Sequence, residues 1–182
     1  AANEAGVPWV LDPVAHFATP YRTKAAMELL NLGPTVLRGN ASEIMGLTGK
    51  ESDAKGVDAT DTVEAAESCA IQLARKYNIV VAITGENDFV TDGSRFAHVF
   101  GGSEIMPKIT AMGCSLTCLI GGFLAVAPSI EATTAALALF AEAGSRAAEE
   151  AKGPGTFQPL FLDALSNITS DMLELSSRVT WQ

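Results

Sequence analysis

The chain has 182 residues, 48% of them hydrophobic and 18% charged, with a formal net charge of −9. That length and apolar content suit one domain with a self-sufficient core and exclude a disordered chain. The acidic balance, with no cluster of its 12 lysines and arginines, argues against nucleic acid and anionic membrane as partners.

In chain order, AANEAG reads as a helix end running into a strand, as though the sequence begins partway through a larger protein. No basic region followed by an apolar one opens it, so no signal peptide is visible. VPWVLDPV (7–14) is an apolar run closed by Asp12-Pro13, which predicts a buried strand ending in a loop. Pro20 opens a helix with Ala25, Ala26, Leu29 and Leu30 at helical spacing, and Gly33-Pro34 breaks it. TVLRGN (35–40) predicts a second strand, and Ala41 to Leu47 one or two helical turns. The polar stretch 49–60 reads as a loop. Asp61 with Glu64 then forms a capping pair for a helix whose buried face carries Val63, Ala66, Ala70, Leu73, Ala74 and Tyr77, with Asn78 as its stop.

IVVAIT (79–84) is the clearest strand, β-branched and bounded by Gly85. DFVTDGSRFAHVF reads as a hairpin turning at Asp92-Gly93. From Cys114 onward the pattern is helical. One helix is expected to reach about Ala127 before Pro128, an Ala-rich one covers about 129–151, and a last one about 157–176 carries Leu160, Phe161, Ala164, Leu165, Ile168, Met172 and Leu175. Strand and helix alternate through the first half, which predicts a single α/β domain with a mostly parallel sheet flanked by helices.

No charge occurs between Lys108 and Glu131, long enough to cross a bilayer, yet the run holds polar residues and a Gly121-Gly122 pair without aromatic or basic flanks. A buried helix explains it better. Three cysteines, an odd number without scaffold spacing, fit a reducing cytoplasm. Zinc is disfavoured, since neither His16 nor His98 is near the cysteines in sequence.

Met112-Gly113-Cys114 falls where loop becomes helix. The first amides of a helix have no intrahelical partner and share about half a positive charge, a ready anion site. Gly113 lets backbone approach the anion, and Cys114 stands in the first turn. The alternative is that Cys114 and Cys118, four apart, are small buried residues. Other candidates gather at the carboxyl ends of the expected strands, where α/β sheets bind ligand: Asp12, then Arg38 and Asn40, then Thr84 with Gly85-Glu86, and Glu43 three residues after Asn40. Two carboxylates, an arginine and a helix N-terminus at one sheet edge point to magnesium and polyphosphate.

LDPVA, LRGNASEI, KGVDATD, TGENDFVTDG, the Gly-Cys helix start and GPGTFQPLFLDAL occur in this order and at suitable intervals. Together they closely resemble the hydroxyethylthiazole kinases, a family of the ribokinase-like superfamily. The resemblance implies transfer of the ATP γ-phosphate to the primary alcohol of 4-methyl-5-(2-hydroxyethyl)thiazole, with Mg2+, in thiamin salvage. It assigns Arg38, Asn40 and Thr84 to ATP, Asp12 and Glu43 to magnesium, and the backbone of Ala111, Met112 and Gly113 to the phosphate and the substrate hydroxyl. Cys114 falls at the catalytic cysteine, and a homotrimer with the thiazole pocket between subunits is implied.

The chain departs from the family's pattern in three places. Ala111-Met112-Gly113-Cys114 stands where Gly-Thr-Gly-Cys is usual, so a methyl occupies a position that needs positive φ if the backbone there is left-handed. His16-Phe17 is bulky where small residues are common, which raises a question about the substrate pocket. The family's C-x-T-N-like and A-S-P-x-M segments, which belong to the thiazole pocket, find no match here. The 182 residues thus read as the C-terminal two-thirds of the family fold, lacking its N-terminal units and expected to be poorly stable and inactive alone. Two other readings stay open: a truncated, non-catalytic nucleotide-binding relic, and a related enzyme such as an ADP/ATP-dependent NAD(P)H-hydrate dehydratase, for which an aspartate is expected in place of Cys114.

Overall fold

The computed structural model describes residues 1–49, 59–173 and 175–182. The loop expected across 49–60 falls almost wholly outside these, as do the side chains of Asp61, Val63 and Glu64. Six strands form one sheet in sequence order: β1 (Val10–Leu11), β2 (Val36–Asn40), β3 (Val80–Thr84), β4 (Asp88–Thr91), β5 (Phe96–Val99) and β6 (Val179–Trp181). The parallel arrangement expected from the alternating pattern holds for β1, β2 and β3. From β3 onward each pairing is antiparallel, so the sheet is mixed. For β3–β4 and β4–β5 the cause is local: the Gly85–Asn87 and Asp92–Arg95 turns are too short for a crossover helix.

Helices cover both faces. One layer holds α1 (Pro20–Asn31), α2 (Ala41–Leu47) and α3 (Ala59–Tyr77), and the other α4 (Met112–Phe123), α5 (Ser129–Glu150) and α6 (Pro154–Asn167). Strand alternation divides the core between them. Val36, Val80, Ala82, Val90 and Val99 pack with Leu116, Ile120, Leu137, Phe140 and Phe157. Leu37, Val81, Ile83 and Phe89 pack with Leu30, Ile44, Ala66, Ala70 and Leu73. Asn78 ends α3 at φ 53°, the left-handed stop its type favours.

The helical half departs from expectation at several points, though not in the rejection of a membrane span. The helix starting near Cys114 stops at Phe123, and only Leu116 and Ile120 along it are fully buried. Cys114 and Cys118 lie on its exposed side, so they are not small core residues. Among the described residues no helix is long and apolar enough to cross a membrane. The last helix ends at Asn167, and the chain then passes through a short turn and α7 (Leu175–Arg178) into β6. Met172 and Leu175 are exposed rather than on a buried face.

Candidate active site

The same alternation that splits the core builds the site. Asp12 follows β1 two residues after Val10, Arg38 stands two after Val36, Thr84 two after Ala82, and Asp88 two before Val90. All four therefore emerge on the α4 side of the sheet, at the edge where the parallel strands end. The register sets Arg38 opposite Ala82 and Asn40 opposite Thr84, so the Arg38 side chain runs along Thr84.

Arg38 is the centre of this group. Its Nη1 donates to Asp12 Oδ2 at 3.3 Å and its Nη2 to Thr84 Oγ1 at 2.5 Å. Thr117, one turn into α4, donates its hydroxyl to the same Asp12 Oδ2 at 2.8 Å. Arg38 and Asp12 side chains are each 11% exposed, enough burial for the pair to be held rather than solvated. Among the described residues Arg38 Nε is buried without a partner, a donor left over for something else.

The guanidinium also lies against the start of α4. A Cβ placed on Gly113 would come within 2.5 Å of Arg38 Nη1 and 2.9 Å of Nη2. Glycine is thus required here for the arginine as well as for any anion. Ala111 caps the helix at φ 63°, ψ 17°, the left-handed conformation that costs a non-glycine residue about 1 kcal/mol. The first helical bond runs from the Ser115 amide to the Ala111 carbonyl, 2.9 Å, so the amides of Met112, Gly113 and Cys114 precede it and have no helical acceptor. A cation and a helix N-terminus converge at one point.

Beside them opens a cleft of about 940 Å3, lined by Arg38, Thr84, Met112 and Gly113 and also by Met106, Pro107, Leu116 and Phe140. Its rim at Gly101-Gly102 uses positive φ values of 117° and 87°, and Ser145 of α5 ties Gly102 down through both its amide and its carbonyl. Asp88 lines the same cleft. Burial pushes its carboxyl up to about 6, against the opposing pull of the Gly85 amide, which donates to Oδ1 at 3.0 Å, and of Arg38 nearby.

Glu43 is placed differently. It is buried, with Oε1 accepting from the Ala15 amide and Oε2 from the Asn40 amide, both at 2.8 Å. Asn40 Oδ1 accepts in turn from the Glu43 amide at 2.9 Å, completing a capping box at the start of α2.

A sequence profile of the hydroxyethylthiazole kinase family matches residues 1–171. The chain belongs to the hydroxyethylthiazole kinase family. A hydroxyethylthiazole kinase of Gemmatimonas aurantiaca is 57% identical over 180 residues, covering 99% of this chain and 65% of that protein. The structure of a hydroxyethylthiazole kinase protein from Pyrococcus horikoshii superposes with a TM-score of 0.87 at 38% identity, covering all of this chain and 67% of that one. A pyridoxal kinase from Staphylococcus aureus, 18% identical with a TM-score of 0.56 over 76% of this chain and 52% of its own, shares the ribokinase-like fold. The chain spans about two thirds of the length of the relatives it matches.

Of the residues the sequence singles out, this member of the hydroxyethylthiazole kinase family brings Asp12, Arg38, Thr84 and Gly113 together. Met112 and Gly113 line the cleft, whereas Cys114 is exposed on α4 beside it. Asn40 turns its side chain onto α2 and Glu43 spends both oxygens on backbone amides, so neither lines the cleft. His16 is buried beneath α2 and Phe17 is exposed, so the bulky pair does not narrow the cleft. Asp88 and Thr117 are additions. Asp88 stands two residues before Val90 in a buried hairpin, a polar residue on an inward-facing position, and that alternation is the signal that points to it.

Proposed function

We propose that the protein carrying this chain transfers the γ-phosphoryl group of ATP to the primary hydroxyl of 4-methyl-5-(2-hydroxyethyl)thiazole. The observation that carries the reading is the seating of the Arg38 guanidinium on Gly113, at the unpaired amides that open α4. Phosphoryl transfer is catalysed by positioning and charge stabilisation, and these are the groups that supply both. The mixed lining of the cleft supports the reading, with Arg38 and Thr84 for phosphates and Met106, Leu116 and Phe140 for an apolar group.

In this reading Arg38 and Thr84 hold the triphosphate, with Asp12 and Thr117 keeping the guanidinium in place. The amides of Met112, Gly113 and Cys114 take up the charge that develops on the equatorial oxygens. One such donor is typically worth about 2.7–4 kcal/mol. The substrate oxygen forms a bond to the γ-phosphorus as the bond to ADP breaks, and the hydroxyl proton passes to Cys114 reacting as its thiolate, which becomes the thiol.

Magnesium fits the donors present. Among the described residues no three His, Cys, Asp or Glu side chains gather into a cage, and Mg2+ is characteristically held by one or two carboxylates together with phosphate oxygens and water. Both hydrogen bonds to Asp12 fall on Oδ2, which leaves Oδ1 for such a role, while Glu43 organises the neighbouring backbone. When bound, the ion would offset triphosphate charge.

We take the 182 residues as one domain, the C-terminal two-thirds of the ribokinase-like fold, acting in the cytoplasm as part of a homotrimer that shares thiazole pockets between subunits. A second reading, a nucleotide-binding relic, draws on Ala111 at φ 63° in place of glycine. Calorimetry with an ATP analogue and magnesium, beside a thiazole-dependent ADP-release assay on the full protein, separates the two. Binding with turnover is expected; binding without turnover supports the relic, and no binding at all overturns both.

A further inference from the structure

The loop that carries Asp12 is held from one side by a residue outside the cleft. His16 is 2% exposed, and its Nε2 lies 2.9 Å from the Glu43 carbonyl oxygen. A carbonyl only accepts, so Nε2 carries a proton and donates it. The other nitrogen, Nδ1, is buried without a partner among the described residues. An unpaired buried polar atom is costly, and a site that tolerates one needs the ring for some other reason.

Three observations say what that reason is. First, Ala15 next to it stands at φ 47°, a left-handed conformation for a residue with a Cβ, which persists only where the surroundings hold it. Second, the Glu43 carboxylate takes the Ala15 amide while its carbonyl takes the His16 ring, so one residue of α2 grips the loop at two consecutive positions. Third, Gly46 makes room: a Cβ there would stand 2.9 Å from His16 Cε1 and 3.0 Å from Nε2. The ring fills a socket that only glycine at 46 leaves open.

We propose that His16 is a positioning residue for the phosphate-binding residues of the cleft, acting with Gly46 as a matched pair. The ring pins residues 12–16 onto α2, and through that loop it fixes the Asp12 carboxylate against Arg38 and Thr117. Its functional consequence rests on the kinase reading above. The bulky residue at 16 therefore bears on ATP rather than on the thiazole.

The test uses the full protein with His16→Phe, which keeps a ring but loses the donor, and His16→Gln, whose amide nitrogen reaches where Nε2 stood. Gly46→Ala is made alone and with His16→Ala. His16→Phe is expected to raise KM for ATP about five- to tenfold, the worth of one buried hydrogen bond, with KM for the thiazole unmoved. His16→Gln should recover to within about threefold of wild type. Gly46→Ala should raise KM for ATP as well, and His16→Ala should abolish that added effect by emptying the socket. Exchange of the Ala15 amide without nucleotide reads the same grip independently of catalysis, faster in His16→Phe and near wild type in His16→Gln. Equal behaviour of the Phe and Gln variants in both measurements, or additive effects at 16 and 46, overturns the proposal. A wild-type protein that binds no ATP overturns the kinase reading alone, since the exchange result still decides the grip.

Discussion

Replacing Gly113 by alanine separates the chemistry of the site from its stability. The added Cβ would stand 2.5 Å from Arg38 Nη1, 2.9 Å from Nη2 and 3.1 Å from Cζ. Comfortable contact lies near ~3.5 Å, so the guanidinium must retreat by about 1 Å. It is tethered on both prongs, to Asp12 at 3.3 Å and Thr84 at 2.5 Å, and a retreat of that size breaks at least one tether. Losing a hydrogen bond to a charged group costs about 1.5–3 kcal/mol, while alanine in a helix gains about 0.8–1 kcal/mol over glycine. Net destabilisation should therefore stay near 1–2 kcal/mol and the fold should survive. Turnover should suffer more, because a displacement of about 1 Å in a positioning group costs on the order of 10²-fold. Urea unfolding and steady-state kinetics measure the two effects. Calorimetry with an ATP analogue in the Arg38→Ala background supplies the control, where Gly113→Ala should cost almost nothing further. Full additivity of the two substitutions, or wild-type kcat/KM in Gly113→Ala, refutes the argument that Arg38 needs this glycine.

Ala111→Gly should stabilise the protein by about 0.5–1 kcal/mol, relief of the left-handed alanine exceeding the entropy gained by the unfolded chain, as read by thermal unfolding. The Asp88 carboxyl, raised by burial to about 6, makes the folded chain hold a proton that the unfolded chain has released above pH ~4. Stability therefore falls as pH rises through pH ~4–6, by about 2–3 kcal/mol, and Asp88→Asn should lack that component; parallel pH profiles for the two proteins count against it. Cys114→Ala should lower kcat by ~10²–10⁴ with little change in KM, and Cys114→Asp should keep substantial activity because a carboxylate at that reach accepts a proton. Wild-type turnover in Cys114→Ala removes the base role and leaves the helix amides standing.

Much of the fold is written in short-range patterns. The β-branched run 79–84, the Asp92-Gly93 turn and the Ala-rich helix after Pro128 each match a strong local preference, and their observed limits differ from expectation by a residue or so. β6 is another matter. Three residues, Val179–Trp181, have no periodicity to read and exist as a strand because β5 offers an edge to pair with. The site divides along the same line. Asp12, Arg38, Thr84 and Gly113 are legible as strand ends and a helix start, but their common face follows from which layer each strand packs against. The contact of Arg38 with Gly113, and the use of Glu43 as a brace rather than a free carboxylate, depend on residues far apart in sequence. Asp88 owes its altered carboxyl to the antiparallel return of β4, which composition alone does not reveal.

The rim at Gly101 rests on Arg178, whose guanidinium lies over it, reaches the Phe100 carbonyl at 3.2 Å and pairs with Glu142 of α5. One wall of the cleft is thus closed by a residue that follows it by more than seventy positions. During synthesis that wall stays unfinished until Arg178 has left the ribosome, however early the strands bearing Arg38 and Thr84 have paired. Ligand assistance to folding would accordingly act late, on the last docking step rather than on formation of the sheet.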